Sequence, residues 1–323
     1  MELIERLARR QLVVVTGKGG VGKTIVAATL GRSLAAAGRR TLVVEVDPRE
    51  NVHQMLGVPP SGGAIVQTDS RLWVQNLKPR QVLDEVVRER LKLELLARRV
   101  LDSPVYHHFA AGAPGLKELA ILGHALRLLR GLGGLGAPDL DTIVLDAPAT
   151  GHGVSLLAAP RLVSEVITSG PFSTMASELA ALVADARKCG IVVVTQAEEM
   201  PVEEALELRQ ALRDRVERDP ELLVVNGLYP PAPHAVPGEP ENELVALWRR
   251  RRALNERELA RLKAGWQGTR VELPQLPLDR GPALLSALGR CFGESARQHL
   301  GESVGENAGE SVRESGLGGG AWS

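Results

Sequence analysis

Residues 12 to 24 read Leu-Val-Val-Val-Thr-Gly-Lys-Gly-Gly-Val-Gly-Lys-Thr, and this stretch leaves the chain little choice of fold. The apolar, β-branched run Leu12 to Val15 predicts a buried strand. Gly17, Gly19, Gly20 and Gly22 then allow a sharp turn that exposes backbone N–H groups. The spacing from Gly17 through four residues to Gly22-Lys23-Thr24 is that of a P-loop. In such a loop Lys23 reaches the β- and γ-phosphates, Thr24 ligates Mg²⁺, and the next helix offers its positive end to the anion. A nucleoside triphosphate is the expected ligand, with Gly17, Lys18, Gly19, Gly20, Val21, Gly22, Lys23 and Thr24 around it.

The chain beyond the loop follows suit. Val26, Leu30 and Leu34 share one face of a helix that stops at Gly38, and Thr41 to Val46 is a second strand ending in Asp47-Pro48. Residues 12 to 46 therefore form a βαβ unit, which implies a parallel sheet. Further strands are expected at Leu72 to Leu77, Thr142 to Leu145, Ile191 to Thr195, Leu222 to Val225 and Thr269 to Leu273. Helical periodicity over 202–217 and 240–263 completes an α/β, doubly wound pattern. Residues 79–133 interrupt it, being long, rich in Leu, Arg, Glu and Ala, and free of strand signals. They predict an inserted helical subdomain. A shorter helical piece is expected at about 160–187 and a Pro-rich loop at 229–240. The ordered part is one domain, 1–292, and the Gly-, Ser- and Glu-rich stretch 293–323 is expected to be disordered.

Composition excludes more than it suggests. Lys plus Arg equals Asp plus Glu at 39 each among 323 residues, so no overall basic excess points to nucleic acid or an anionic membrane. The N-terminal ten residues lack a signal-peptide core, and no apolar run approaches the ~20 residues that span a bilayer. The expected location is cytoplasmic. Cys189 and Cys291 lie far apart, each without a Cys or His at metal-ligand spacing, so they read as free thiols and not as a zinc site or disulfide.

Phosphoryl transfer to water needs a metal clamp and an oriented nucleophile, so carboxylates are expected where strands end beside the loop. Asp47 ends the second strand. Asp146 ends the fourth, within Leu145-Asp-Ala-Pro-Ala-Thr-Gly-His152.

With these motifs in order, the chain resembles the arsenite-pump and tail-anchored-protein-targeting ATPases, the anion-transporting ATPase family. The resemblance rests on the loop at 17–24, on Asp47-Pro-Arg-Glu-Asn51 as switch I, and on Ala113-Pro-Gly-Leu-Lys-Glu118. It continues through Asp146 to His152 as switch II, Glu198 before a helix, Asn226 after a strand, and Leu273-Pro-Gln-Leu-Pro277 with Arg280-Gly281. It implies a P-loop NTPase fold of the SIMIBI type, with ATP and Mg²⁺ as cofactors. In that family Lys23 would hold the β- and γ-phosphates, and Asp47 would orient the attacking water. Thr24 and, through the metal's water shell, Asp146 would hold Mg²⁺. Asn226 would read the adenine, with Glu198 and the Pro274 to Pro277 turn nearby, and His152 would move with its switch. Lys18 resembles the second lysine of the deviant P-loop ATPases, which reaches into the partner's site across a dimer interface. One P-loop and no internal repeat then imply a homodimer, or a heterodimer with a paralogue.

The chain also departs from the family. Ile25 follows Thr24 where a second Thr is common, and Ala-Pro-Ala follows Asp146. No Cys-x-x-Cys is present, so the zinc clasp of the eukaryotic targeting factor is absent, as are the clustered thiols that bind arsenite. With four Met in the chain, a Met-rich groove for a transmembrane helix is not indicated. The leading expectation is a Mg-dependent, dimeric ATPase switch whose helical insert binds a client protein, one that could be membrane-associated. The alternatives are the energising subunit of an anion or metalloid pump, a ParA- or MinD-like positioning ATPase, and a P-loop ligase.

Overall fold

The computed structural model describes residues 2–47, 49–91, 93–104, 106–107, 115–134, 136–148, 153–169, 171–231 and 242–292. Eight strands form one sheet: β1 (Leu12–Thr16), β2 (Thr41–Glu45), β3 (Val66–Asp69), β4 (Leu72–Asn76), β5 (Thr142–Asp146), β6 (Cys189–Thr195), β7 (Leu222–Leu228) and β8 (Arg270–Pro274). Their order across the sheet is β3-β4-β2-β5-β1-β6-β7-β8, and only β3 runs antiparallel to its neighbour. The doubly wound, mainly parallel sheet anticipated from the sequence is the fold observed.

Alternation along each strand explains the layers. In β1, Leu12 and Val14 enter one core while Val13 and Val15 enter the other, and β2, β5 and β7 divide their side chains in the same way. These four strands are therefore buried on both faces, so their sequences read as continuous apolar runs. One face is covered by α1 (Glu2–Ala8), α2 (Lys23–Ala36), α3 (Asn51–Leu56) and a final helical run over 282–292. The other is covered by α4 (Pro79–Leu91), α6 (Leu116–Leu129), α7 (Gly153–Val166), α8 (Pro171–Ala184), α9 (Glu199–Val216) and α10 (Glu243–Gly265). The short α5 (Glu94–Leu101) packs beside α4. Residues 79–129 thus hold three described helices, and Leu116, Leu119 and Leu122 of α6 share a core with Val14 and Leu145 of the sheet. The stretch 293–323 and most of the Pro-rich loop fall outside the described residues.

Register fixes what the sheet presents at one edge. Val15 of β1 pairs with Asp146 of β5, and Glu45 of β2 pairs with the same residue. The C-terminal ends of three adjacent strands are therefore level. β1 sits between β5 and β6, where connections leave in opposite directions, and ligands of open α/β sheets bind outside such a point.

Candidate functional site

The loop leaving β1 turns back over the sheet edge and becomes α2 at Lys23, with Gly22 in the left-handed conformation at φ 94°. A Cβ on Gly22 would lie 2.2 Å from Asn226 Nδ2, and one on Gly17 would lie 2.2 Å from the Val194 carbonyl oxygen. Both glycines are thus required by close approach as well as by backbone shape. Asn226, near the end of β7, braces the loop by donating from Nδ2 to the Val21 carbonyl at 2.9 Å.

A cleft of about 530 Å³ opens at this edge, lined by Gly20, Gly22, Lys23, Thr24, Asp47, Asp146 and Asn226 among others. The Thr24 hydroxyl donates to Asp146 Oδ2 at 2.7 Å. Asp146 Oδ1 is buried and has no hydrogen-bond partner among the described residues. Burial pushes the Asp146 carboxyl up to about 6, against the pull of the Thr24 hydroxyl and the Lys23 ammonium. Lys23 is lowered by its own burial, an effect opposed by Asp146, and its Nζ donates to the Lys18 carbonyl at 2.8 Å. An unpartnered carboxylate oxygen beside a hydroxyl is a hard donor set that fits Mg²⁺. Among the described residues no group of three or more His, Cys, Asp or Glu is placed to hold a metal ion by itself. A cation at Asp146 would therefore draw its remaining oxygen ligands from water or phosphate, as Mg²⁺ commonly does.

Switch I is pinned from several sides. Asp47 Oδ1 accepts the Arg49 N–H at 2.8 Å, and Asn76 Nδ2 donates to the Asp47 carbonyl at 2.5 Å. Glu45 is fully buried, and its carboxylate accepts the N–H groups of Asn51 and Val52 at 2.9 and 3.0 Å. It thereby caps the first turn of α3. Burial pushes Glu45 up to about 7, while the two N–H bonds pull the other way.

The expected site residues do not all converge. Lys18 is absent from the cleft lining; it borders a neighbouring hollow with Gly17, Glu204 and Glu207. Its ammonium lies 2.8 Å from Glu204 Oε1, and that bond raises its pKa. Glu198 precedes α9 and sits 3.6 Å from Arg251, away from the cleft lining. Pro274 ends β8 and, like Pro277, Gly19 and Val21, does not line the cleft. His152 lies outside the described residues, as does the start of the 113–118 motif. The cleft also holds side chains not singled out as site residues from sequence: Arg49, Asn51 and Met55 from switch I and α3, Arg280 from the turn before the last helical run, and Leu284 from within that run. The first two stand inside the switch I motif, and Arg280 inside the late Arg-Gly motif, so the signal that located them was already present.

Comparison with known proteins agrees with this geometry. Residues 10–170 match the family model described as "Anion-transporting ATPase". The chain is 30% identical over 212 residues to ATPase BagA of Mycobacterium tuberculosis, an alignment covering 64% of this chain and 62% of that protein. It is 30% identical over 169 residues to ATPase GET3C of Arabidopsis thaliana, covering 47% and 42% of the two chains. To ATPase asna-1 of Caenorhabditis elegans it is 26% identical over 167 residues, covering 48% and 47%. The chain spans less than two thirds of the length of these relatives. The matched region contains β1, the glycine loop, switch I, the helices over 79–129, Asp146 and α7; Asn226, Arg280 and Leu284 of the cleft lining lie beyond it. Residues 10–170 are thus similar to the anion-transporting ATPase family, whose model they match.

Proposed function

We propose that this protein hydrolyses ATP to ADP and phosphate with Mg²⁺ as cofactor, and that it works as a dimeric switch which binds a client protein in one nucleotide state and releases it in the other. The observation that carries the reading is the convergence of three strand ends. The P-loop, Asp47 and Asp146 line one cleft, and Asp146 accepts the Thr24 hydroxyl on Oδ2 while its buried Oδ1 has no partner among the described residues.

Each residue has a task that follows from where it stands. Backbone N–H groups at the start of α2 and the Lys23 ammonium would hold the β- and γ-phosphates, with Lys23 exchanging its bond to the Lys18 carbonyl for a phosphate oxygen. Thr24 and Asp146 would hold Mg²⁺, directly and through water. When bound, the cation supplies neutralisation of phosphate charge. Asp47, braced by Asn76, would orient the attacking water. Asn226 and Leu284 at the cleft rim would face the nucleoside. Lys18 points away from its own cleft and is held by Glu204, which supports a role in the site of a partner molecule.

Nucleotide-dependent assembly tests this reading. An Asp47→Asn variant, which should bind ATP without turning it over, is expected to sediment as a dimer with Mg²⁺ and ATP and as a monomer with ADP. The wild type is expected to release phosphate, and Lys23→Ala is expected to abolish that release. Phosphate release that survives Lys23→Ala, or one sedimentation coefficient in all nucleotide states, would refute the reading.

A further inference from the structure

The cleft contains more positive charge than the glycine loop provides. Arg49 and Arg280 both line it, and neither guanidinium has a hydrogen-bond or ion-pair partner among the described residues. Elsewhere the chain spends its arginines on carboxylates, as in Arg10 with Glu221, Arg40 with Asp141 and Arg213 with Asp219.

Arg49 is the more consequential of the two because of how its loop is held. Asp47 is fixed on one side by Asn76 and by the Arg49 N–H. On the other side Glu50 stands at φ 49°, a left-handed conformation that costs a non-glycine residue energy and persists where surrounding contacts hold it. Those contacts are visible: the Glu50 carboxylate accepts the N–H groups of Ser61 and Gly62 at 2.7 and 3.1 Å, and Glu45 caps Asn51 and Val52. The backbone is anchored before and after Arg49, and its side chain is left over the cleft that Lys23, Thr24 and Asp146 also line.

We propose that Arg49 contacts the terminal phosphate of the nucleotide bound in its own chain and stabilises the charge that accumulates there during transfer. Each site would then receive one cation in cis from switch I as well as one in trans from the partner's Lys18. A planar guanidinium presents paired donors to a phosphate, which suits it to the spreading charge on the equatorial oxygens. The reaction itself is unchanged: water oxygen bonds to the γ-phosphorus, the bond to the bridging oxygen breaks, and the water proton leaves with the products, ADP and inorganic phosphate. Arg49 exchanges no proton. The inference rests on the ATPase reading above.

Arg49 is exposed, so Arg49→Ala is expected to fold and to bind ADP like the wild type. Its affinity for ADP with aluminium fluoride, which mimics the transferring group, should fall about tenfold or more, and kcat should fall about 10- to 100-fold with KM for ATP within about threefold. Arg49→Lys should recover part of both losses. Mixing Arg49→Ala with Asp47→Asn protein separates cis from trans. If Arg49 serves its own chain, every site in the mixed dimer lacks one of its two groups and activity stays low. Unaltered kcat and analogue affinity in Arg49→Ala would overturn the proposal, and so would recovery of activity on mixing. A wild type without ATP turnover would instead remove the ATPase reading on which the proposal stands.

Discussion

The strand ends at the cleft and the helices over 79–129 belong to the same chain but are held in different ways. In β1, β2 and β5 the apolar side chains are at most 1% exposed, and each strand is bonded to two neighbours whose register is level. In the helical segment, burial is uneven: α6 buries every residue from Leu119 to Gly123, whereas α5 leaves Leu95 at 84% and Leu96 at 48% exposure. One described tie between the two regions is polar. His124 Nε2 of α6 lies 2.9 Å from Gln75 Oε1 of β4, next to the Asn76 that holds Asp47. The difference assigns the tasks. A site that must place phosphates to a fraction of an ångström belongs on the doubly bonded strands, and an element that must shift belongs where fewer contacts need to be exchanged.

The largest expected effect concerns chemistry at the strand ends. If Lys18 completes a partner's site, Lys18→Ala should lower turnover by about 10³-fold. Mixing it with Asp47→Asn should restore part of the rate, because the mixed dimer keeps one site with its own Asp47 and a Lys18 from across the interface. Phosphate release measured against mixing ratio reads this directly. No recovery, together with a specific rate that is independent of protein concentration, would confine the chemistry to one chain.

Next is Asp47 itself. A water-orienting carboxylate acts on the transition state, so Asp47→Asn is expected to lose about 10²-fold or more in kcat while ATP affinity stays within a few fold. A full-speed variant would remove Asp47 from the mechanism.

A smaller effect probes the tie between the regions. Burial, with a contribution from Arg127, lowers His124 to about 4. A histidine whose folded pKa lies below its unfolded value of about 6.5 stays neutral in the fold. Its contribution to stability is therefore present above pH 6.5 and lost as pH falls from there toward 4, by on the order of 2–3 kcal/mol. Urea unfolding at pH 7 and pH 4.5 should show a smaller loss in His124→Gln than in the wild type. An equal loss would mean that another group carries the acid sensitivity.

Least of all should follow from the exposed leucines of α5. Leu95→Ser and Leu96→Ser are expected to change stability by about 0.5 kcal/mol or less, since surface substitutions seldom do more. Unfolding midpoints displaced well beyond that would show the face to be packed in the folded chain.

What was legible from sequence follows the same division. The run from Leu12 to Val46 could be read because glycine spacing, two-sided apolar strands and a helical face all agreed, and Asp47 and Asp146 followed from where strands end. The edge strand β3 escaped because Val66-Gln-Thr-Asp is short and polar at three of its four positions, with no apolar alternation to mark it. α1 escaped because it is short and only Leu3 and Leu7 are fully buried, with Ile4 and Ala8 packed partly buried beside them. α9 and α10 lie within a few residues of their expected spans. Glu45 reads as an ordinary strand end, and its capping of α3 depends on a turn six residues later. Arg49 and Arg280 are 231 positions apart, and only the fold brings both to one cleft. The same holds for Lys18 and Glu204, whose pairing joins the glycine loop to α9.

The proposed switch requires nucleotide state to move the helices over 79–129 while the strand ends stay fixed. Hydrogen exchange on Asp47→Asn protein with Mg²⁺ and ATP, compared with Mg²⁺ and ADP, tests it most directly. The account requires altered protection in α4, α5 and α6 with β1, β2 and β5 equally slow in both states. Identical protection across 79–129 in the two states would contradict it.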